Sequence, residues 1–149
     1  MSTYKNILIA IDFSPASAQV IDRGLQLAQQ NNANVHLVHV IENILPLDFA
    51  YEPITTPDWY AETEEHILKH AQDNMAKVRE KHQLDATKTE VLNGTPKIEI
   101  IQYASDHQID LIVIGSHGRH GFQRLLGSTA NPILHNAHCD VLAVRIHDE

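Results

Sequence analysis

The chain has 149 residues, the length of one ordinary domain and enough to bury a substantial core. Hydrophobic residues make up 43% and charged residues 20%, as in soluble globular proteins, and a formal charge of -8 excludes the broad basic surface that nucleic-acid binding needs. No apolar run approaches the roughly 20 residues of a membrane helix, which argues against a membrane protein. The amino terminus enters a strand almost at once, so no signal peptide is expected. Cys139 is the single cysteine, which rules out an internal disulfide and predicts a reducing, cytoplasmic setting.

Asn6 to Ile11 is an isoleucine-rich run without period-2 polarity, the pattern of a strand buried on both faces of a parallel sheet. Asp12-Phe13-Ser14-Pro15 reads as a turn into a helix, with Ser14 at the N-cap and Pro15 at its first position. Val20, Leu25, Leu27 and Ala28 form an apolar stripe before Asn31-Asn32 ends the helix. Val35 to Ile41 is the second strand, so the chain opens β-α-β with a right-handed crossover.

From Glu42 to Asp58 the periodicity disappears and Pro46, Pro53 and Pro57 occur, predicting a long surface loop of the kind that borders sites. A long helix follows over about Asp58 to His82, with Ile67, Ala71, Met75 and Val78 on one face. Thr87 to Leu92 is the third strand. Asn93-Gly94-Thr95-Pro96 repeats the turn-to-helix grammar, with Thr95 as N-cap and Pro96 at the first position. Ile98, Ile101 and Ala104, with Tyr103, are predicted to face the sheet. Asp110 to Ile114 is the fourth strand and Asp140 to Ile146 the fifth. One domain over 1–149 is expected, an α/β fold with five strands and four helices in an open three-layer sandwich.

In such open sheets, ligands bind outside the carboxyl ends of the strands where strand order reverses. Those ends are Asp12, Val40-Ile41 and Gly115. Four of the six glycines fall between Gly115 and Gly127, and the stretch closes on Gly127-Ser128-Thr129 ahead of a short helix. Glycines permit close backbone approach and positive φ, and a helix start favours an anion. A nucleotide phosphate is the predicted ligand. Pro132 belongs to the first turn of the last helix, which sets its start near Ser128 or Thr129 and leaves those amides facing the loop.

Three stretches resemble the universal stress protein family: Ile7-Leu-Ile-Ala-Ile-Asp-Phe-Ser14, Asp110-Leu-Ile-Val-Ile-Gly-Ser-His-Gly-Arg119 with Leu126-Gly-Ser-Thr-Ala130, and Cys139-Asp-Val-Leu-Ala-Val-Arg145. The resemblance spans the whole chain at matching spacing. It implies a parallel sheet of order 3-2-1-4-5 with helices on both faces, and a homodimer through the last strand. Many family members bind ATP or AMP at the glycine loop, while a branch without the glycines does not. The nucleotide-binding branch carries G-x2-G-x9-G-[ST]. Here Gly115-x2-Gly118 and Gly127-Ser128 match, but only residues 119 to 126 separate the second glycine from the third, one fewer than the pattern. The shortening bears on the β- and γ-phosphate contacts more than on adenosine, so ATP and AMP both stay open.

Carried over by this resemblance, Asp12 would meet the ribose or adenine edge and Val40 the adenine. Gly115, Gly118, Arg119, Gly127, Ser128 and Thr129 would line the phosphates, with magnesium accompanying the nucleotide. Plainer roles also fit these residue types. Asp12 is a good turn former, Val40 suits a core, Ser128 suits a helix cap, and Arg119 and Arg124 suit a solvated surface.

The eleven histidines raise the question of a metal. His66 and His70 are four apart on the long helix, but two histidines without a third ligand make a weak site, and no zinc-ligand pattern occurs. His36 and His39 stand on opposite faces of the second strand. No dedicated metal site is predicted. Nor does a catalytic apparatus stand out, since there is no Walker A sequence, no nucleophile elbow and no activating neighbour for Cys139. His117 is the sole candidate base. The leading expectation is a cytoplasmic stress-response or signalling module that binds ATP or AMP. A slow ATPase or phosphotransferase in the same pocket and a nucleotide-free interaction module are the alternatives.

Overall fold

The computed structural model describes residues 4–42, 58–116 and 129–146, except for the side chains of 58–62 and 87. The elements in chain order are β1 (Asn6–Ile11), α1 (Ser17–Asn31), β2 (Asn34–Glu42), α2 (Asp58–His82), a 3-10 turn at Ala86–Lys88, β3 (Thr89–Gly94), α3 (Pro96–Asp106), β4 (Leu111–Gly115), α4 (Ala130–Asn136) and β5 (Asp140–Val144). The five strands form one sheet in the order β3-β2-β1-β4-β5. Every neighbouring pair is parallel, which agrees with the order expected from sequence.

β1 occupies the middle because it is apolar toward both faces: Ile7, Leu8 and Ile9 are fully buried. Ile7, Ile9 and Ile11 point into a core with Val20, Ile21 and Ala28 of α1 and Met75 of α2. Leu8 points the other way, into a core with Val38, Ile100 and Tyr103 of α3, and Ile133 of α4. Helices α1 and α2 therefore cover one face and α3 and α4 the other. Strand order consequently reverses between β1 and β4, the position where open parallel sheets leave a crevice.

Helix α1 lies close enough to the sheet that a Cβ on Gly24 would clash with Ile9 Cδ1. Three helices end alike. Asn32, Gln83 and Gln108 adopt φ of 54°, 55° and 53°, and the next amide in each case bonds back to the carbonyl five residues earlier. These bonds are Ala33 to Ala28, Leu84 to Arg79 and Ile109 to Ala104, each at 2.9 Å. This is the left-handed C-terminal motif that satisfies otherwise orphaned carbonyls.

Several local expectations are corrected. Helix α1 starts at Ser17 with Ala16 as N-cap, not at Ser14, because residues 14–17 first close a turn through the Ser17 amide on the Ser14 carbonyl at 2.9 Å. β3 begins two residues later than read and runs through Asn93-Gly94, since those residues continue the ladder opposite Ile41 and Glu42 of β2. Thr95 is the N-cap of α3 and Pro96 its first residue, but the threonine side chain makes no capping bond. Ile98 is 59% exposed; the buried face of α3 is Ile100, Tyr103 and Ala104. β5 ends at Val144, although Ile146 remains buried beyond it. Of the predicted loop from Glu42 to Asp58, Glu42 closes β2 and Asp58 opens α2, and residues 43–57 lie outside the described residues.

At the amino end of the sheet, Asp110 clamps the entry to β1. Its Oδ2 accepts the Lys5 amide at 2.8 Å and its Oδ1 the Asn6 amide at 3.2 Å, while its own amide donates to the Asn6 carbonyl at 3.0 Å. Nearby, Tyr4 donates its hydroxyl to Asp140 Oδ2 at 2.8 Å, and this bond with the carboxylate pushes the phenol above its usual range. These acidic groups are scaffold, at the end of the sheet away from the crevice.

Candidate functional site

The crevice is built on the carboxyl ends of β1 and β4. Ile9 pairs with Val113, so Asp12 and Gly115 leave the sheet on neighbouring strands. Asp12 is held by its own turn. Its Oδ1 accepts the Ser14 amide at 2.9 Å and the Ser17 hydroxyl at 3.1 Å. The carboxylate thus closes the turn ahead of the helix in the manner of an Asx turn, while helix α1 itself has no side-chain cap. Ser17 is itself buried, which limits how far that contact can drift.

The turn includes a residue in an unfavourable conformation. Phe13 has φ of 61°, in the left-handed region that bulky side chains avoid. Its ring packs against the α1-side core and lies 4.2 Å, centroid to centroid, from the His39 ring at 39°. His39 stands opposite Ile11 in the β1–β2 register, and its Nδ1 is 2.8 Å from the Ile11 carbonyl oxygen. A carbonyl only accepts, so Nδ1 carries the proton in this contact.

On the β4 side, Gly115 is the last strand residue and pairs with Val144. Ser116 then binds β5 twice: its amide donates to the Val144 carbonyl at 2.8 Å, and its Oγ accepts the Ile146 amide at 3.3 Å. The root of the glycine loop is therefore anchored to the strand that follows it by about thirty residues. Gly115 is extended within β4 and is absent from the positive-φ residues, which among the described glycines include Gly94 alone. Any use of Gly115 at a ligand lies in its lack of a side chain and not in special backbone geometry.

Val40 is 7% exposed and sits in the core shared with α3 and α4, so its plain core role is real. Thr129 is the N-cap of α4 and makes no side-chain cap bond. The helix begins one residue later than the nearer of its two expected starts, with Pro132 as its third residue, inside the turn where proline is tolerated. Ala130 and Ile133 of α4 belong to the same core as Val40. Asp12 and Gly115 thus stand at neighbouring strand ends, while Val40 is buried in the core on the α3–α4 face and Thr129 opens α4. Gly118, Arg119, Gly127 and Ser128, with His117, lie outside the described residues.

Phe13, Ser17 and Ser116 are not singled out by the sequence, and His39 enters there only as a metal-ligand candidate. Ser17 had a signal, five residues after Asp12 and reachable by an Asx turn. The others depend on pairing between strands, which local patterns do not encode.

Elsewhere, His36 and His39 do point to opposite faces. His39 meets Phe13, whereas His36 Nδ1 and the Tyr103 hydroxyl share a 3.0 Å bond on the α3 side. Tyr103 stacks on His107 at 3.8 Å, whose Nδ1 lies 3.0 Å from the Tyr103 carbonyl. Burial pushes the His36 imidazole below its ordinary pKa, with Lys88 and His107 adding to the effect. Burial also pushes the Cys139 thiol up, assisted by the carboxylates of Asp140 and Asp110. A protonated, half-buried thiol is a poor nucleophile. Among the described residues no three His, Cys, Asp or Glu side chains group to hold a metal ion, and no helix is long and apolar enough to cross a membrane.

A doubly wound parallel sheet with two helices on each face and a glycine loop leaving its reversal point defines a class of α/β proteins whose ligands bind at the strand ends. Residues 3–145 match the model of the universal stress protein family, and the chain belongs to that family. It is 42% identical over 144 residues to universal stress protein A homolog 1 of Coxiella burnetii, an alignment covering 95% of this chain and 96% of the relative. Universal stress protein UspA from Lactobacillus plantarum superimposes with a TM-score of 0.75 at 29% identity, covering 97% of this chain and 98% of that one. A universal stress protein in complex with cAMP superimposes with a TM-score of 0.57 at 26% identity, covering 95% and 97% of the two chains.

Proposed function

We propose that this chain is a cytoplasmic stress-response module that binds an adenine nucleotide, ATP or AMP, at the β1–β4 crevice. The observation carrying this reading is the meeting of Asp12 and Gly115 on neighbouring strand ends where strand order reverses. A carboxylate there suits ribose hydroxyls, because it accepts charge-assisted hydrogen bonds. The sequence continues from Gly115 through Gly118 and Arg119 to Gly127, Ser128 and Thr129, a set suited to phosphate oxygens. Val40 offers the adenine an apolar neighbour. The relative in complex with cAMP supports an adenine nucleotide as the ligand class. Magnesium would enter with the phosphates, held by them and by water, as this ion commonly is.

The reading is regulatory: occupancy of the crevice changes the state of the protein, and turnover is at most weak ATP hydrolysis. Equilibrium dialysis of purified protein against ATP and AMP tests it. Saturable micromolar binding is expected, and none for either nucleotide would reject the reading. Steady-state phosphate release that disappears in Ser128→Ala would move the protein into the slow ATPase class.

Assembly is proposed as a homodimer through β5. This strand is a sheet edge on which Val141, Leu142 and Ala143 are only partly buried. A groove beside it is lined by Gln19 and Arg23 of α1 and by residues 142–145. An uncovered edge of this kind invites a partner strand. Sedimentation should give a dimer at tens of micromolar, as expected of a standard interface, and a monomer there would count against it.

A further inference from the structure

We propose that His39 is a positioning residue for the nucleotide crevice: its bond to Ile11 and its ring against Phe13 hold the left-handed kink that fixes where the Asp12 carboxylate stands. The inference rests on the nucleotide reading above and deepens it by adding a residue that need not touch the ligand.

The kink begins at the last residue of β1. Ile11 is the final residue of the strand, and its carbonyl receives the His39 Nδ1 proton at 2.8 Å. This side-chain bond prolongs the β1–β2 connection at the register pair Ile11–His39, where the chain is about to leave the sheet. Two residues on, Phe13 takes φ of 61°. For a residue with a bulky side chain this conformation is unfavourable and persists only where the surroundings over-determine it. The surroundings here are the α1-side core, against which Phe13 packs, and the His39 ring 4.2 Å away. Between the two restraints stands Asp12, whose Oδ1 is already fixed by the Ser14 amide and the Ser17 hydroxyl. His39 restrains the residue before Asp12 through a hydrogen bond and the residue after it through ring contact.

Loss of this support lets residues 11–13 relax toward ordinary φ values. The carboxylate then moves relative to Gly115, which stays anchored because Ser116 is tied to β5. Displacements of this order weaken a contact that depends on geometry, such as an Asp to a ribose hydroxyl, more than the apolar contacts of a base. The expected signature is a specific loss of ribose recognition.

The test compares wild type, His39→Asn, His39→Leu, Asp12→Asn and the double variant carrying His39→Leu and Asp12→Asn. AMP and 2′,3′-dideoxy-AMP are titrated into each by calorimetry, with melting temperatures recorded. Asparagine places an amide donor near the position of Nδ1 and should keep AMP affinity within about threefold. Leucine fills the space but cannot donate, and should weaken AMP about tenfold, the ordinary scale of one charge-assisted hydrogen bond, while leaving dideoxy-AMP nearly unchanged. In the Asp12→Asn background the leucine substitution should have little further effect. Equal weakening of both ligands, or additive effects of the two substitutions, would overturn the positioning role and leave nucleotide binding intact. Absence of AMP binding by wild type would overturn the nucleotide reading and this role with it. Should His39→Leu fail to fold, the decision passes to His39→Asn against His39→Gln, whose donor lies one bond further out. Asparagine retaining ribose discrimination and glutamine losing it supports the role, and equal behaviour of the two rejects it.

Discussion

The Asp12 carboxylate accepts a hydrogen bond from the buried hydroxyl of Ser17 at 3.1 Å, linking the end of β1 to the first residue of α1. The same Oδ1 takes the Ser14 amide at 2.9 Å, so the residue proposed to meet the ribose also organises the turn. Its two roles are one arrangement: a carboxylate already held by two donors presents itself to a ligand with little conformational freedom left to lose.

Replacing Ser17 by alanine separates these roles. The substitution removes one donor to Asp12 without introducing bulk, and should cost about 1 kcal/mol of stability. AMP affinity should fall severalfold as Asp12 gains freedom. Urea unfolding and calorimetric titration of Ser17→Ala check both outcomes, and an unchanged affinity would show that Asp12 is held well enough by its backbone alone.

Gly24 is a test of helix–sheet packing. In an exposed helix, glycine to alanine gains about 1 kcal/mol. Here the added methyl would clash with Ile9 Cδ1 and stand 2.6 Å from Cγ1, and Ile9 is fully buried. Gly24→Ala should therefore destabilise by about 1–3 kcal/mol. Removing the Ile9 Cδ1 atom through Ile9→Val should recover part of the loss in the double variant, giving non-additive unfolding energies.

The helix ends at Gln83 and Gln108 carry left-handed φ values of 55° and 53° without the asparagine or glycine that usually occupies such positions. Glycine relieves the steric cost of the left-handed conformation, although it also loosens the unfolded chain. The net expectation for Gln83→Gly and Gln108→Gly is a gain of about 0.5 kcal/mol each. Chemical denaturation decides, and a loss at both sites would mean that the glutamine side chains contribute contacts of their own.

His36 should make stability depend on pH. Burial lowers its folded pKa below the ordinary imidazole value of about 6.5. Between the two values the unfolded chain binds the proton more readily, so stability rises with pH across that window. The contribution is fully present above the unfolded value and is lost as pH falls through the folded one. His36→Phe removes this site, and its unfolding free energy should fall less steeply than wild type from pH 7.5 to pH 5. Parallel curves would assign the acid sensitivity to other histidines.

The parts of the fold legible in sequence were those set by burial on both faces. Asn6–Ile11 was read with its observed bounds because β1 is central and apolar on each side, and α2 because its long amphipathic pattern exceeds any competing signal. The departures lie where a side-chain turn or a helix's rotational phase competes with a local pattern. Ser14-Pro15 has the pattern of a helix start, yet Asp12 draws the Ser14 amide into a turn and the helix begins only at Ser17. Ile98 fits a core position by its spacing to Ile101 and Ala104, but the buried face runs through Ile100, Tyr103 and Ala104, and Ile98, two residues before Ile100, falls on the opposite side of the helix. At the site, Asp12 and Gly115 were visible as strand ends, since that follows from topology. His39 was not, because its partners are Ile11 at the end of another strand, 28 residues away, and Phe13 in the turn that follows it.

The central claim is that the crevice between β1 and β4 binds an adenine nucleotide through Asp12. Calorimetric titration of AMP into wild type and Asp12→Asn tests it most directly, because asparagine preserves the turn-holding acceptor while removing the charge. The account predicts saturable micromolar binding by wild type and affinity weaker by about tenfold in the variant, the scale of a charge-assisted hydrogen bond. Undetectable binding by wild type, or equal affinity in the two proteins, would contradict it.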